Sequence, residues 1–213
     1  MEKVNELLQL FPTPVHISKY EIDITKELKF VKNLSYELNG GNTGPNGNYK
    51  STNTYVLREK ELKDISIFIQ NQLNFYVKEI MFSDDELVPT ISWCNKNPQG
   101  SKHHDHKHPN SIISGVFYFA INKSAPIQFA KSTFGGFELN AKKYNNFNNG
   151  SYMVPMNVGE LILFPSTTTH SVPVNREPEE RISLSFNTFS ITALGSTDNL
   201  TYLNLKDLKN GSE

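Results

Sequence analysis

Between Lys60 and Met81 the apolar residues Leu62, Ile65, Ile69, Leu73, Tyr76, Val77 and Ile80 recur every three or four positions, with Lys63, Asp64, Gln70, Asn71, Asn74 and Lys78 largely opposite. A stripe of that period predicts an amphipathic helix with one buried face. A looser series, Leu28, Val31 and Leu34, predicts an earlier helix over Ile24 to Leu38, stopped by Asn39-Gly40-Gly41. Ahead of it, Leu10-Phe11-Pro12-Thr13-Pro14-Val15-His16-Ile17 reads as extended, because a residue preceding proline is pushed out of the helical region.

After Asp84-Asp85 the period shortens to two. Val88 to Asn95 and Ser114 to Ile121 alternate and are rich in β-branched and aromatic residues, and further strands are predicted at Pro126 to Ala130, Phe134 to Leu139, Tyr152 to Pro155, Glu160 to Phe164 and Arg181 to Ile191. Asn97-Pro98, Gly135-Gly136, Asn149-Gly150, Val158-Gly159 and Glu177-Pro178 supply turns between them. The polar, glycine-rich stretches Gly40 to Tyr49 and Phe134 to Gly150 read as surface loops. Helices followed by many short strands predict a mainly β protein, a sandwich or jelly roll with the N-terminal helices packed on one face. The 213 residues fit a single domain. Within it, 1–87 forms the extended segment and supporting helices, 88–191 the β unit and 192–213 a tail.

Composition narrows the function classes. Net charge is −1, so there is no basic field for sequence-independent phosphate binding, which argues against a nucleic-acid binder. No stretch approaches the roughly 18 apolar residues of a membrane helix, and the acidic, amphipathic start lacks the form of a signal peptide. One cysteine, Cys94, excludes an internal disulfide framework, and a reducing cytoplasm is the expected setting. Histidine stands out: six in the chain, four of them within His103-His104-Asp105-His106-Lys107-His108.

Residues two apart in an extended chain share a side, so His106 and His108 can face one point, half of a transition-metal site. The alternative is a solvated histidine-rich loop. A further imidazole, His170, follows the apolar strand Leu161-Ile162-Leu163-Phe164; taken alone it reads as a hydrogen-bonded structural residue. Eleven residues on, Arg181, Ser183 and Ser185 alternate with Ile182, Leu184 and Phe186. An arginine on an inward face needs an anion, because a buried guanidinium without a partner costs several kcal/mol. A bidentate carboxylate ligand fits that need, as would a salt bridge to Glu160 or Glu179.

Trp93-x-Asn95, His106-x-His108-Pro109, Ser114-Gly115-Val116-Phe117-Tyr118, Gly159-x-Leu161-x-Leu163-Phe164-Pro165-Ser166, His170-Ser171-Val172 and Glu180-Arg181-Ile182-Ser183-x-Ser185-Phe186-Asn187 together resemble the 2-oxoglutarate- and Fe(II)-dependent oxygenase family common in marine bacteria and their phages. The opening Leu10-Phe11-Pro12-Thr13-Pro14-Val15 is similar too. The resemblance implies a double-stranded β-helix, a mononuclear Fe(II) site and 2-oxoglutarate as cosubstrate. Decarboxylation of that cosubstrate would be coupled, through molecular oxygen, to C–H oxidation of a small-molecule or macromolecular substrate. If the gene is a phage's, the setting is the host cytoplasm. Carried over by position, His106, His108 and His170 are the metal ligands, Arg181 grips the far carboxylate with Ser183 beside it, and Asn95 hydrogen-bonds the cosubstrate. His103 and His104 become supporting or loop residues and His16 a structural one. The broader superfamily uses two histidines and a carboxylate. His108 departs from that, and the rival register His103-x-Asp105 would restore it. Two other classes fit part of the pattern: a cupin-like metal-dependent dioxygenase or isomerase without 2-oxoglutarate, and a non-catalytic jelly roll that binds carbohydrate or belongs to a virion.

Overall fold

The computed structural model describes residues 8–39, 46–131 and 140–205. Eleven strands are described: β1 (His16–Lys19), β2 (Tyr36–Leu38), β3 (Tyr49–Ser51), β4 (Leu87–Asn97), β5 (His103–His106), β6 (Ile113–Ala120), β7 (Ile127–Ala130), β8 (Ser151–Val154), β9 (Glu160–Pro165), β10 (His170–Val172) and β11 (Arg181–Ser190). Two α-helices, α1 (Thr25–Lys32) and α2 (Lys63–Phe75), precede β4. A 3-10 turn at Lys60–Leu62 leads into α2 and a π turn at Tyr76–Ile80 continues it, so the predicted Lys60 to Met81 stripe is helical from Lys60 to Ile80.

Strand order is β1-β9-β6-β11-β4-β3-β2 in the larger sheet and β5-β10-β7-β8 in the smaller, with antiparallel pairing throughout these ladders. The side-chain period of two sends alternate residues of the larger sheet to opposite layers. Phe117, Phe119, Leu161, Leu163, Ile182, Leu184 and Phe186 pack with Ile65, Ile69 and Leu73 of α2. Their neighbours Val116, Tyr118, Ile162 and Phe164 face Ile127 and Phe129 of the smaller sheet. The result is the expected double-stranded β-helix, a jelly roll of two facing sheets that do not close into a barrel, with helices on its outer face.

Gly115 shows how tightly the helix-side layer is filled: a Cβ there would lie 2.2 Å from Phe186 Cζ and 2.8 Å from Leu163 Cδ2. His16 is structural as expected, its Nε2 3.1 Å from Gln72 Oε1 and its ring 5.2 Å from that of Phe75.

The first helix is a correction. It ends at Lys32, and Tyr36–Leu38 of the predicted Ile24 to Leu38 helix forms strand β2 against β3. Leu34 still packs on the core from the turn between them, so the apolar spacing is satisfied without helix beyond Lys32. Gly47 bridges Lys102 and Tyr49 opens β3, so the predicted Gly40 to Tyr49 loop ends in pairing; its residues 40–45 lie outside the described residues. The predicted strand Phe134 to Leu139 also lies outside them. Among the described residues no helix is long and apolar enough to cross a membrane.

Candidate metal centre

Three imidazoles meet where the smaller sheet begins. His106 ends β5, His170 opens β10, and the two are paired across the ladder. His108 lies two residues beyond β5, held there by a hydrogen bond from its backbone N–H to the carbonyl of Ser166, at 3.0 Å. One ring nitrogen from each of His106, His108 and His170 lies within 4.8 Å of the other two. His108 Nε2 and His170 Nε2 are 3.2 Å apart, the spacing of two nitrogens that share an ion at roughly 2.0–2.1 Å.

The surroundings choose which nitrogen faces inward. His106 Nδ1 lies 2.8 Å from the carbonyl of His104 and His170 Nδ1 3.0 Å from that of Thr168. A carbonyl only accepts, so each Nδ1 carries the proton and each Nε2 keeps its lone pair for a ligand. Burial disfavours the imidazolium at all three. It lowers His106, brings His108 down to about 4 and His170 to about 3, with neighbouring imidazoles adding to the effect at each. Neutral pH therefore finds three uncharged nitrogen donors, the donor type that suits first-row transition metals. Phe164 and Phe129 stand 4.7 and 6.3 Å from the His170 ring, and Trp93 stands 5.9 Å from that of His108.

The rival register is not assembled. Asp105 is exposed and belongs to neither histidine group, because in β5 it alternates with His106. His103, expected as a supporting or loop residue, lies directly beside the three imidazoles. It stacks on His106 at 4.2 Å, lines the same recess as the three imidazoles, and forms with His104 and His106 a second close group. Its Nε2 lies 3.4 Å from Asn39 Nδ2, a contact across 64 residues with no local signal.

Arg181 opens β11 and is 3% exposed. Its Nη1 donates to Asn97 Oδ1 at 3.2 Å and to Ser183 Oγ at 3.1 Å, and the guanidinium lies over the Tyr118 ring at 4.9 Å. Neither Glu160 nor Glu179 pairs with it; among the described residues the ion pairs are Lys50–Glu37 and Lys60–Glu61. Three further groups could meet an anion there. Ser183 keeps its own hydroxyl proton to donate, Asn97 Nδ2 is buried without a partner, and Tyr118 Oη makes no hydrogen bond of good geometry although it feels the guanidinium charge. Asn95 is committed at both ends of its amide, accepting from Asn48 Nδ2 and donating to Ser185 Oγ, each at 3.0 Å. The recess that contains the three imidazoles also contains Arg181, Ser183, Asn95 and His103.

Residues 91–187 match the family model described as "Putative 2OG-Fe(II) oxygenase". No curated protein matches the sequence. Solved structures share the fold at low identity. The non-heme alpha ketoglutarate dependent epimerase SnoN from nogalamycin biosynthesis superposes with a TM-score of 0.61 at 11% identity, over 84% of this chain and 79% of that one. HygX from Streptomyces hygroscopicus, with nickel, 2-oxoglutarate and hygromycin B bound, gives 0.58 at 9%, over 83% and 82%. A prolyl-4-hydroxylase from Pseudomonas putida gives 0.56 at 12%, over 81% and 91%.

Proposed function

We propose that this chain, a member of the 2OG-Fe(II) oxygenase family through its residues 91–187, holds Fe(II) on His106, His108 and His170 and 2-oxoglutarate on Arg181 and Ser183. The observation that carries this reading is a buried guanidinium that pairs with no carboxylate among the described residues, in one recess with three neutral imidazoles. When bound, the iron and 2-oxoglutarate supply the oxidising chemistry, in which molecular oxygen couples decarboxylation of the cosubstrate to C–H oxidation.

The chain's own part is positioning and exclusion. The carbonyls of His104 and Thr168 fix two imidazoles with Nε2 inward. Arg181 offers a planar fork matched to a carboxylate, and Ser183 holds that fork by accepting from Nη1 while keeping a donor of its own. Asn95 ties Asn48 to Ser185, which braces the floor of the recess. Phe129 and Phe164 keep water from one side of His170. In this reading 88–191 supplies the metal- and cosubstrate-binding groups with 1–87 as their buttress, and the enzyme works in the cytoplasm.

Succinate release tests the reading. The Fe(II)-loaded chain, incubated aerobically with 2-oxoglutarate and pools of candidate substrates, is expected to form succinate above its uncoupled baseline, and His106→Ala to lose at least about a hundredfold of it. A chain that oxidises a substrate at full rate without 2-oxoglutarate would instead be a metal-dependent dioxygenase of another type.

A further inference from the structure

Strand β5 carries more imidazole than one metal centre uses. His103, His104 and His106 form a second close group, with one ring nitrogen of each within 4.8 Å of the other two. His104 belongs to this group and not to that of His106, His108 and His170.

Local backbone geometry assembles the group. Across the ladder to β10, His106 pairs with His170 and His103 with Val172, so three steps on β5 match two on β10. The extra residue is a β-bulge, a device that re-aims side chains. In unbroken alternation His103, three residues from His106, would face the opposite side. With the bulge it stacks on His106, ring centroids 4.2 Å apart. His104 keeps the side of His106 by the ordinary step of two, and its ring lies 5.2 Å from that of His103 and 5.3 Å from that of His106.

The chemistry of the group suits a metal ion. His104 Nδ1 is buried and, among the described residues, has no hydrogen-bond partner, a costly state for a ring nitrogen. His103 Nε2 meets the side-chain amide of Asn39 at 3.4 Å, a long contact that is weak beside a metal–nitrogen bond of roughly 2.0–2.1 Å. Asp105 is exposed and outside the group, so the donors are imidazoles alone. Such a set favours zinc over magnesium or calcium, and binds it more tightly than Fe(II). The three rings are only partly buried, which lets an ion enter from solvent and keep a water as its fourth ligand.

We propose that His103, His104 and His106 form a second transition-metal site, for Zn(II), that shares His106 with the centre described above. A neutral imidazole has one lone pair. His106 therefore serves one ion at a time, and zinc on the second group leaves His108 and His170 without their third ligand. The consequence for iron rests on the proposed function; the zinc site itself does not.

The probe is Zn(II) alone, given to the untagged, metal-free full chain in competition with a chromogenic chelator. His170→Gln breaks the first centre and leaves the second group whole, so it is expected to bind one Zn(II) per chain. Adding His104→Ala should weaken that binding at least about a hundredfold, since disturbing even a ligand's support costs about 10–100-fold. His104→Cys, in the otherwise unaltered chain, keeps a metal ligand at that position, and the native cysteine is buried. Loaded with Co(II), it should show a thiolate-to-cobalt charge-transfer band that the native sequence lacks, a readout independent of any change at His170. Zinc binding by His170→Gln that is absent, or that His104→Ala leaves untouched, would overturn the proposal, as would a Co(II)-loaded His104→Cys chain without the band. Two zinc ions on one native chain would overturn the sharing of His106. A chain that shows this His104 dependence while its Fe(II)-loaded form refuses 2-oxoglutarate keeps the second site and loses the functional reading. One that takes 2-oxoglutarate without any His104 dependence of zinc binding does the reverse.

Discussion

At the scale of single residues, the site is defined by buried polar groups that lack a charged partner. Arg181 is the sharpest case, a cation buried in the fold with no anionic partner among the described residues. Replacing a buried ion pair by apolar side chains of similar volume is often neutral or stabilising by about 1–4 kcal/mol, and a buried cation with no ionic partner to lose follows the same logic. Arg181→Met should therefore leave the thermal midpoint unchanged or raised while 2-oxoglutarate binding is lost, a combination that differential scanning calorimetry and a binding titration check together. The histidines give a pH signature. His108 and His170 titrate near 6.5 when exposed but at about 4 and about 3 in the metal-free fold. Below 6.5 the unfolded chain then binds more protons than the folded one, so stability falls as pH is lowered from 6.5 towards 4. Thermal unfolding across that window should show a shallower decline for His108→Gln than for the native sequence. That His106 and His108 share a side and that Arg181 alternates with apolar neighbours was legible from spacing, because the His-x-His step and β11 carry those directions in two or three residues, whereas His170 joined them only through the resemblance. Asn39 and Asn97 were not, since each meets the site through contacts 64 and 84 residues away in sequence.

At the scale of elements, legibility follows length. Strands β4, β6, β9 and β11 each run six residues or more, long enough for an alternating or continuously apolar stretch to show. β2, β3 and β10 have three residues each, too few for a period, and exist because a partner strand completes their hydrogen bonds. The length of α1 was overestimated for a related reason: Val31 and Leu34 reach the same core, one from helix and one from a turn. Gly115 links the helix-side layer to the site through β6. Gly115→Ala would force Phe186 and Leu163 to move and should cost about 1–3 kcal/mol in denaturant unfolding. Ser166 performs the corresponding task for His108. Its carbonyl accepts the His108 N–H, and its hydroxyl joins Ser111 and Ser114 at 2.7 and 2.8 Å in a buried cluster. Ser166→Ala leaves those two hydroxyls short of a partner and loosens the segment under His108. Metal affinity should fall about tenfold or more, the usual effect of disturbing a ligand's support, as read by competition with a chromogenic chelator.

At the scale of the whole molecule, two layers divide the labour. The helix-side layer is apolar and stabilises the larger sheet; the layer between the sheets is apolar around Phe129 and Phe164 and polar toward Arg181 and the imidazoles. Binding groups drawn from β4, β5, β10 and β11 converge there only because both sheets are in place. The central claim, a three-histidine metal centre that works with Arg181 on 2-oxoglutarate, is tested most directly by anaerobic calorimetric titration of 2-oxoglutarate into the Fe(II)-loaded chain. One equivalent should bind, and binding should weaken at least about a hundredfold in Arg181→Met and in metal-free His170→Ala. No binding to the iron-loaded chain, or binding indifferent to Arg181→Met, would contradict it.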